Sequence, residues 1–172
     1  MEIRPATAAD AGRIAVVHVR SWQGAYRGLM PQEYLDGLDP AARAAGWERS
    51  LRELDWSRSG VLVAEEDGAL AGFAGFGPAR AEDEDPARVG EVRAIYLLPE
   101  AWGRGTGGRL MAAALARLTQ AGYAEAILWV LGTNARARRF YEAGGWAADG
   151  GTLDDDSRGF RISEVRYRRP LP

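Results

Sequence analysis

Residues 90–108 read Gly-Glu-Val-Arg-Ala-Ile-Tyr-Leu-Leu-Pro-Glu-Ala-Trp-Gly-Arg-Gly-Thr-Gly-Gly. Val92–Leu98 is an extended, largely apolar run that reads as a strand. Behind it, Gly103, Gly105, Gly107 and Gly108 crowd the entrance to an amphipathic stretch, Gly107–Ala121, whose Leu110, Met111, Ala114, Leu115 and Leu118 recur at helical spacing. A glycine loop between a strand and a helix is the local recipe for an anion site. Glycine reaches φ > 0 without strain and lets backbone N–H groups approach a ligand. The first turn of the helix adds unpaired donors at the positive end of its dipole. Four glycines in six positions exceed what a turn requires. A diphosphate is the natural guest, with Arg104 and Arg109 available for charge-assisted contacts.

Gly103, Gly105 and Gly108 also satisfy G-x-G-x-x-G, the dinucleotide fingerprint. Three features speak against that reading. Pro99-Glu100-Ala101-Trp102 separates the glycines from their strand, the following strand reads Leu128-Trp129-Val130-Leu131 with no ribose-binding acid, and only one βαβ unit is visible.

Outward from this segment, strand and helix patterns alternate. Residues 2–6 read as a short edge strand limited by Pro5. Thr7 stands at an N-cap position, with Asp10 three residues on, before a helical run to about residue 27 in which Ile14, Val17, His18, Trp22 and Tyr26 share one face. Short helices follow at 31–37 and at Pro40–Leu54. Val61–Glu65 and Leu70–Phe76 form a hairpin about Asp67-Gly68. The acidic, proline-bearing stretch 78–88 reads as an exposed loop. Ala126–Leu131 is continuously apolar and so internal to a sheet. Asn134–Ala143 is a helix, a strand begins at Trp146–Ala148, and Asp154-Asp155-Asp156 reads as loop. Phe160 and Ile162 alternate, as do Val165 and Tyr167, but out of phase, which predicts a bulge near Ser163-Glu164. The fold class is α+β or mixed α/β on one twisted sheet, a single domain over 1–172.

Composition removes whole classes of chemistry. The chain has no Cys and one His, His18, which excludes thiol nucleophiles and most zinc sites. All 22 Lys+Arg residues are Arg, so no lysine is present to form a Schiff base. They balance 24 Asp+Glu to leave −2, which gives no basic field for nucleic acid. No Asp/Glu spacing fits an EF-hand, and no metal is expected. The N-terminus lacks an apolar targeting region and no window approaches about 18 uncharged apolar residues, so a cytoplasmic protein without a membrane partner is expected.

A second motif narrows the reading. Residues 134–146 run Asn-Ala-Arg-Ala-Arg-Arg-Phe-Tyr-Glu-Ala-Gly-Gly-Trp. Together with Pro99–Leu110 they resemble the GCN5-related N-acetyltransferase (GNAT) superfamily over nearly the whole chain. That family's acyl-CoA signature is Q/R-x-x-G-x-G/A, here Trp102-Gly103-Arg104-Gly105-Thr106-Gly107, with Trp102 in place of Gln/Arg. Its second signature, N-x-x-A-x-x-F-Y-x-x-x-G-F, is met from Asn134 to Trp146 with Trp at the last position. The resemblance implies a central, mostly antiparallel sheet of about seven strands with flanking helices, strands 4 and 5 being parallel and splayed around acyl-CoA. It implies acetyl-CoA as co-substrate, with Gly108 and Asn134 joining the signature residues in binding it. The main chain of Ile95, Tyr96 and Leu97 would take the pantetheine arm as an added strand, and a backbone N–H near Ile95 would stabilise the oxyanion. Glu91 matches the general base and Tyr141 the general acid. The base that other members carry five residues before the Asn is here Trp129, which cannot serve.

The resemblance also places the first helix beside the acceptor, so His18, Trp22 and Tyr26 are candidate substrate-binding residues. The acidic runs 82–85 and 154–156 are either attractors for a cationic amine or solvated loops. Three functions follow: acetylation of a small-molecule primary amine, acetylation of a protein N-terminus or lysine, or a non-catalytic acyl-CoA-binding module. A homodimer formed through an exposed last strand is compatible with the pattern.

Overall fold

The computed structural model describes residues 1–172. Its strands are β1 (Glu2–Pro5), β2 (Gly60–Glu66), β3 (Ala69–Pro78), β4 (Val89–Leu97), β5 (Glu125–Leu131), β6 (Ala147–Asp155) and β7 (Ile162–Pro170). Its helices are α1 (Ala11–Ala25), α2 (Gln32–Asp36), α3 (Pro40–Glu53), α4 (Thr106–Gln120) and α5 (Ala135–Ala143). The strands form one sheet in the order β1-β2-β3-β4-β5-β7-β6, and β4–β5 is its only parallel pair. The implied architecture is the observed one. No helix is long and apolar enough to cross a membrane.

The β4–β5 junction creates the site. These strands pair only from Val89↔Glu125 to Glu91↔Ile127, and then part. Antiparallel pairing continues on either side, through Leu97 on β3 and through Leu131 on β7. The sheet is therefore held on both flanks while a wedge opens between Glu91 and the ends of the two strands. Apolar layers lie on both faces. On one, Leu110, Ala114 and Leu118 of α4 pack with Leu62, Phe76, Val92 and Leu128. On the other, Ile14 and Val17 of α1 pack with Leu51, Val63 and Phe73, and Trp22 joins Met30, Leu131 and Ile162. Each fully buried leucine or isoleucine contributes about 1.5–3 kcal/mol of transfer free energy, which sets both helical layers firmly on the sheet.

Three expectations are corrected. β7 carries no bulge at Ser163-Glu164: its register with β5 runs unbroken from Glu164 to Pro170. The apolar phase changes because both faces of β7 are covered, Ile162 lying against α1 and Tyr167 in the α4 core. The irregularity falls instead in β6, between Ala148 and Thr152, where Gly150 takes φ 91°. Asp154 and Asp155 belong to β6 rather than to a loop. The last strand is internal, and β6 takes the edge position, so β7 offers no edge to a second copy. The acidic stretch before β4 is the exposed loop expected, and two of its carboxylates tie it to β7. Asp83 accepts from the buried Arg166 at 2.8 and 2.9 Å, and Glu84 pairs with both Arg166 and Arg168.

Candidate functional site

The wedge continues into a chamber of about 1160 Å³ that runs from the glycine loop to the face of α1. At one end the loop after β4 makes a short 3-10 turn, Pro99–Ala101, before α4 begins at Thr106. Gly103 and Gly105 take φ of 72° and 83°, a region costly for any residue with a Cβ. Arg109 N–H is the first to close back, onto the Gly105 carbonyl at 3.1 Å. The N–H groups of Thr106, Gly107 and Gly108 are thus the orphan donors of the helix start. A Cβ at Gly103, Gly105 or Gly108 would meet no protein atom within 4 Å, whereas at Gly107 it would touch Phe140. The chain leaves open space in front of these donors.

Leu98 N–H donates to Ala71 of β3 at 2.9 Å. Ladder alternation therefore turns the N–H and C=O of Ile95 and Leu97 into the wedge and those of Tyr96 toward β3. The Leu97 carbonyl already accepts the Trp102 indole N–H at 3.1 Å. The Arg136 guanidinium lies 3.3 Å over the Trp102 ring. Trp102 thus braces the loop against β4. Arg104 and Arg109 are turned elsewhere, Arg104 to 4.0 Å from Glu66 and Arg109 onto the Met1 carbonyl.

Asn134 caps α5, its Oδ1 accepting from Ala137 N–H at 3.1 Å, and also lines the chamber. Tyr141, two turns on, is held by Phe140, Trp146 and Tyr167. Its hydroxyl makes no hydrogen bond within the protein, and burial, aided by the nearby Tyr96, raises its pKa well above the ordinary phenol value. Such a phenol keeps its proton until a strong base forms beside it.

At the sheet end of the wedge, Glu91 is 2% exposed. Its Oε2 accepts from Arg80 N–H at 2.9 Å and Nε at 3.3 Å, and its Oε1 from Nη2 at 2.7 Å. A carboxylate offers about four acceptor positions, so one remains, on Oε1. Beyond lie Trp22 of α1, Tyr26 at its C-terminal cap, Met30, Trp129, and from the β6–β7 hairpin Asp155, Arg158, Ile162 and Glu164. Trp22 is buried with its indole N–H unpaired.

His18 is not at the chamber wall. Its Nδ1 accepts from the Trp47 indole at 3.2 Å and its ring stacks on Tyr96 at 5.4 Å. Burial, aided by the nearby Arg43, holds its pKa down at about 4. It is a neutral packing residue behind the wall. Arg80, Arg158 and Glu164 also line the chamber and belong to neither sequence motif. A basic residue in a loop of acids and a phase break in a strand were the only local signs of them.

Comparison with known proteins agrees with this geometry. The family model described as Acetyltransferase (GNAT) family matches residues 22–146. The chain is 38% identical to the uncharacterized N-acetyltransferase YuaI of Bacillus subtilis (strain 168), over 82% of this chain and 77% of that one. It shares its fold with the PaiA N-acetyltransferase of Thermoplasma acidophilum solved with coenzyme A, at TM-score 0.72 and 23% identity over 98% of each chain. It does so too with yncA of Salmonella typhimurium solved with acetyl-CoA, at TM-score 0.74 and 22% identity over 100% of this chain and 94% of that one. Both signatures fall within or on the edge of the matched span, and the chain belongs to the GNAT family of acetyl-CoA-dependent N-acetyltransferases.

Proposed function

We propose that the chain acetylates the primary amine of a small molecule by direct transfer. The observation that carries this reading is the continuity of one chamber, from the free N–H groups at the start of α4 to a wall of aromatic and acidic side chains. The diphosphate of acetyl-CoA would rest on the N–H groups of Gly103–Gly108, and its pantetheine arm would pair with Ile95 and Leu97 along the open edge of β4. Trp102, Gly107 and Asn134 border the same path. The acetyl group then lies between Glu91 and Tyr141. The acceptor enters as an ammonium and gives its proton to Glu91, at the remaining position on Oε1, directly or across one water. The freed lone pair attacks the acetyl carbonyl, and the Ile95 N–H stabilises the oxyanion. As the C–S bond breaks, the thiolate takes the Tyr141 proton, and the second proton of the newly acylated nitrogen passes to the phenolate, which restores Tyr141 and leaves a neutral amide. Side chains from α1, β5, β6 and β7 surround the acceptor end, which suits a small molecule better than a folded protein surface.

The test has two stages. Acetyl-CoA at about 100 times its Kd should add about 2.7 kcal/mol of stability, several degrees in Tm, whereas NAD should add nothing. Small primary amines and peptides are then compared for thiol release from acetyl-CoA, with mass spectrometry of the products. Acetylated small amines with untouched peptides support the proposal. Acetylation of peptide amines alone replaces it with a protein-acetylating reading, and binding without turnover replaces it with an acyl-CoA-binding module.

A further inference from the structure

Of the chamber carboxylates, all but two form an ion pair with an arginine. Glu91 is bound by Arg80, Asp83 by Arg166 and Asp155 by Arg158. Glu82 is unpaired but lies in an exposed loop. Glu164 differs from both groups: it is half-buried, it lines the chamber, and its carboxylate has neither a hydrogen bond nor an ion pair.

Its direction follows from β7. Residues two apart share a face of a strand. Ile162 packs with Trp22, Met30 and Leu131 on the α1 side, so Glu164 faces that side as well. It sits between Leu131 of β5 and Leu153 of β6 in the ladder, with apolar neighbours on both strands. The charged groups near it are Arg158 and Asp155 from the hairpin, Glu91 from β4 and Arg80 from the preceding loop, together with the hydroxyls of Tyr26 and Tyr96. Both arginines are already bound to other carboxylates. Burial raises the Glu164 pKa above the ordinary carboxylate value, outweighing the attraction of Arg158 and Arg80, neither of which pairs with it.

We propose that Glu164 is the binding site for the acceptor's ammonium, holding a cationic primary amine with its apolar body against Trp22, Tyr26 and Trp129. This deepens the acetyltransferase reading of the same chamber and rests on it for the identity of the ligand, not for the existence of the site. A half-buried carboxylate without a cation is costly, and an incoming ammonium restores the missing partner. A neutral isostere cannot. Glu164 thus selects amines that are charged in solution and delivers them beside Glu91, where the proton is lost. The two carboxylates divide the work: Glu164 acts in binding, Glu91 in proton removal.

The test uses the whole protein saturated with CoA, so that no turnover occurs. Primary alkylamines and phenethylamine are each compared with the corresponding alcohol by thermal shift. The wild type should prefer at least one amine over its alcohol by about tenfold or more in Kd, and Glu164→Gln should lose that preference while responding to CoA as the wild type does. Glu164→Asp should recover part of it. In turnover, Glu164→Gln should raise the amine KM about tenfold with kcat changed by less than about threefold. A wild type with no amine preference, or a Glu164→Gln protein that keeps it, overturns the proposal. So does a fall in kcat at unchanged KM. Amine preference without turnover of any small amine leaves Glu164 as the ammonium site and refutes the small-amine transferase reading instead.

Discussion

The two ends of the chamber are built on different principles. The glycine end is made from backbone, by two contiguous segments, 95–108 and 134–141. It presents N–H groups whose direction is set by φ at Gly103 and Gly105 and by the start of α4. The acidic and aromatic end is made from side chains that arrive from α1, the β3–β4 loop, β4, β5 and the β6–β7 hairpin. A backbone cradle depends on conformation more than on side-chain identity. Trp102 can therefore stand where relatives of this family carry Gln or Arg, and the loop still forms. A side-chain wall has no such tolerance, because each group supplies its own contact. The first end should set which donor is used, the second which acceptor.

The largest expected effects lie where the ends meet. Glu91→Gln and Tyr141→Phe should each lower kcat about a hundredfold, about 2.7 kcal/mol of barrier, with the acetyl-CoA thermal shift intact. Steady-state kinetics beside thermal denaturation checks both. Unchanged turnover in the pair would mean that neither side chain handles a proton, and the junction would be only a passage between two binding surfaces.

The contrast also explains what was legible in the sequence. Gly103–Gly108 and Asn134–Trp146 are compact patterns, and the parallel, splayed strands came with the resemblance they carry. Glu91 and Tyr141 could be picked out because they lie at fixed spacing from those patterns. Arg80 and Glu164 have no such anchor. Arg80 reaches Glu91 across a loop that is pinned by Arg166 and Arg168, residues 83 and 84 positions away from the loop carboxylates they bind. Glu164 sits where β7 changes its apolar phase, which resembles a bulge until it is known that helices cover both faces of the strand. His18 lies off the chamber wall for the opposite reason. Its helical spacing with Trp22 and Tyr26 is real, but one turn along α1 separates the chamber wall from the packing behind it.

That buried histidine sharpens the comparison from the acceptor side. Its pKa is near 4 in the folded protein against about 6.5 when unfolded, so the unfolded state binds a proton that the native state refuses. The stability it supports is present above pH 6.5 and is lost as pH falls toward 4. Urea unfolding should show a loss of about 2 kcal/mol between pH 7 and 4.5 attributable to this group. His18→Phe should flatten that part of the profile. An identical slope in the variant would mean that His18 is solvated, and that the acidic and aromatic end is less tightly backed than its packing indicates.

Smaller effects belong to the glycines, and they separate conformation from contact. Gly105→Val places a branched side chain at φ 83°, which should cost about 1–2 kcal/mol and distort the N–H array, weakening both stability and acetyl-CoA binding.

Gly108→Ala is the finer probe. Gly108 lies inside the first turn of α4 with no positive φ, and a Cβ there meets no protein atom within 4 Å. Alanine is the better helix former by up to about 1 kcal/mol, so the variant should match or slightly exceed the wild type in Tm. The added methyl would nevertheless stand in the space the chain leaves for the phosphates. Thermal shift against acetyl-CoA concentration should then show a rise in Kd of about tenfold or less, on an otherwise sound protein. If Gly108→Ala binds acetyl-CoA as the wild type does, the diphosphate rests on Gly103–Gly107 alone, and the glycine end is a loop site rather than a loop-and-helix site. Gains in stability with loss of binding would place the phosphates against the first turn of α4.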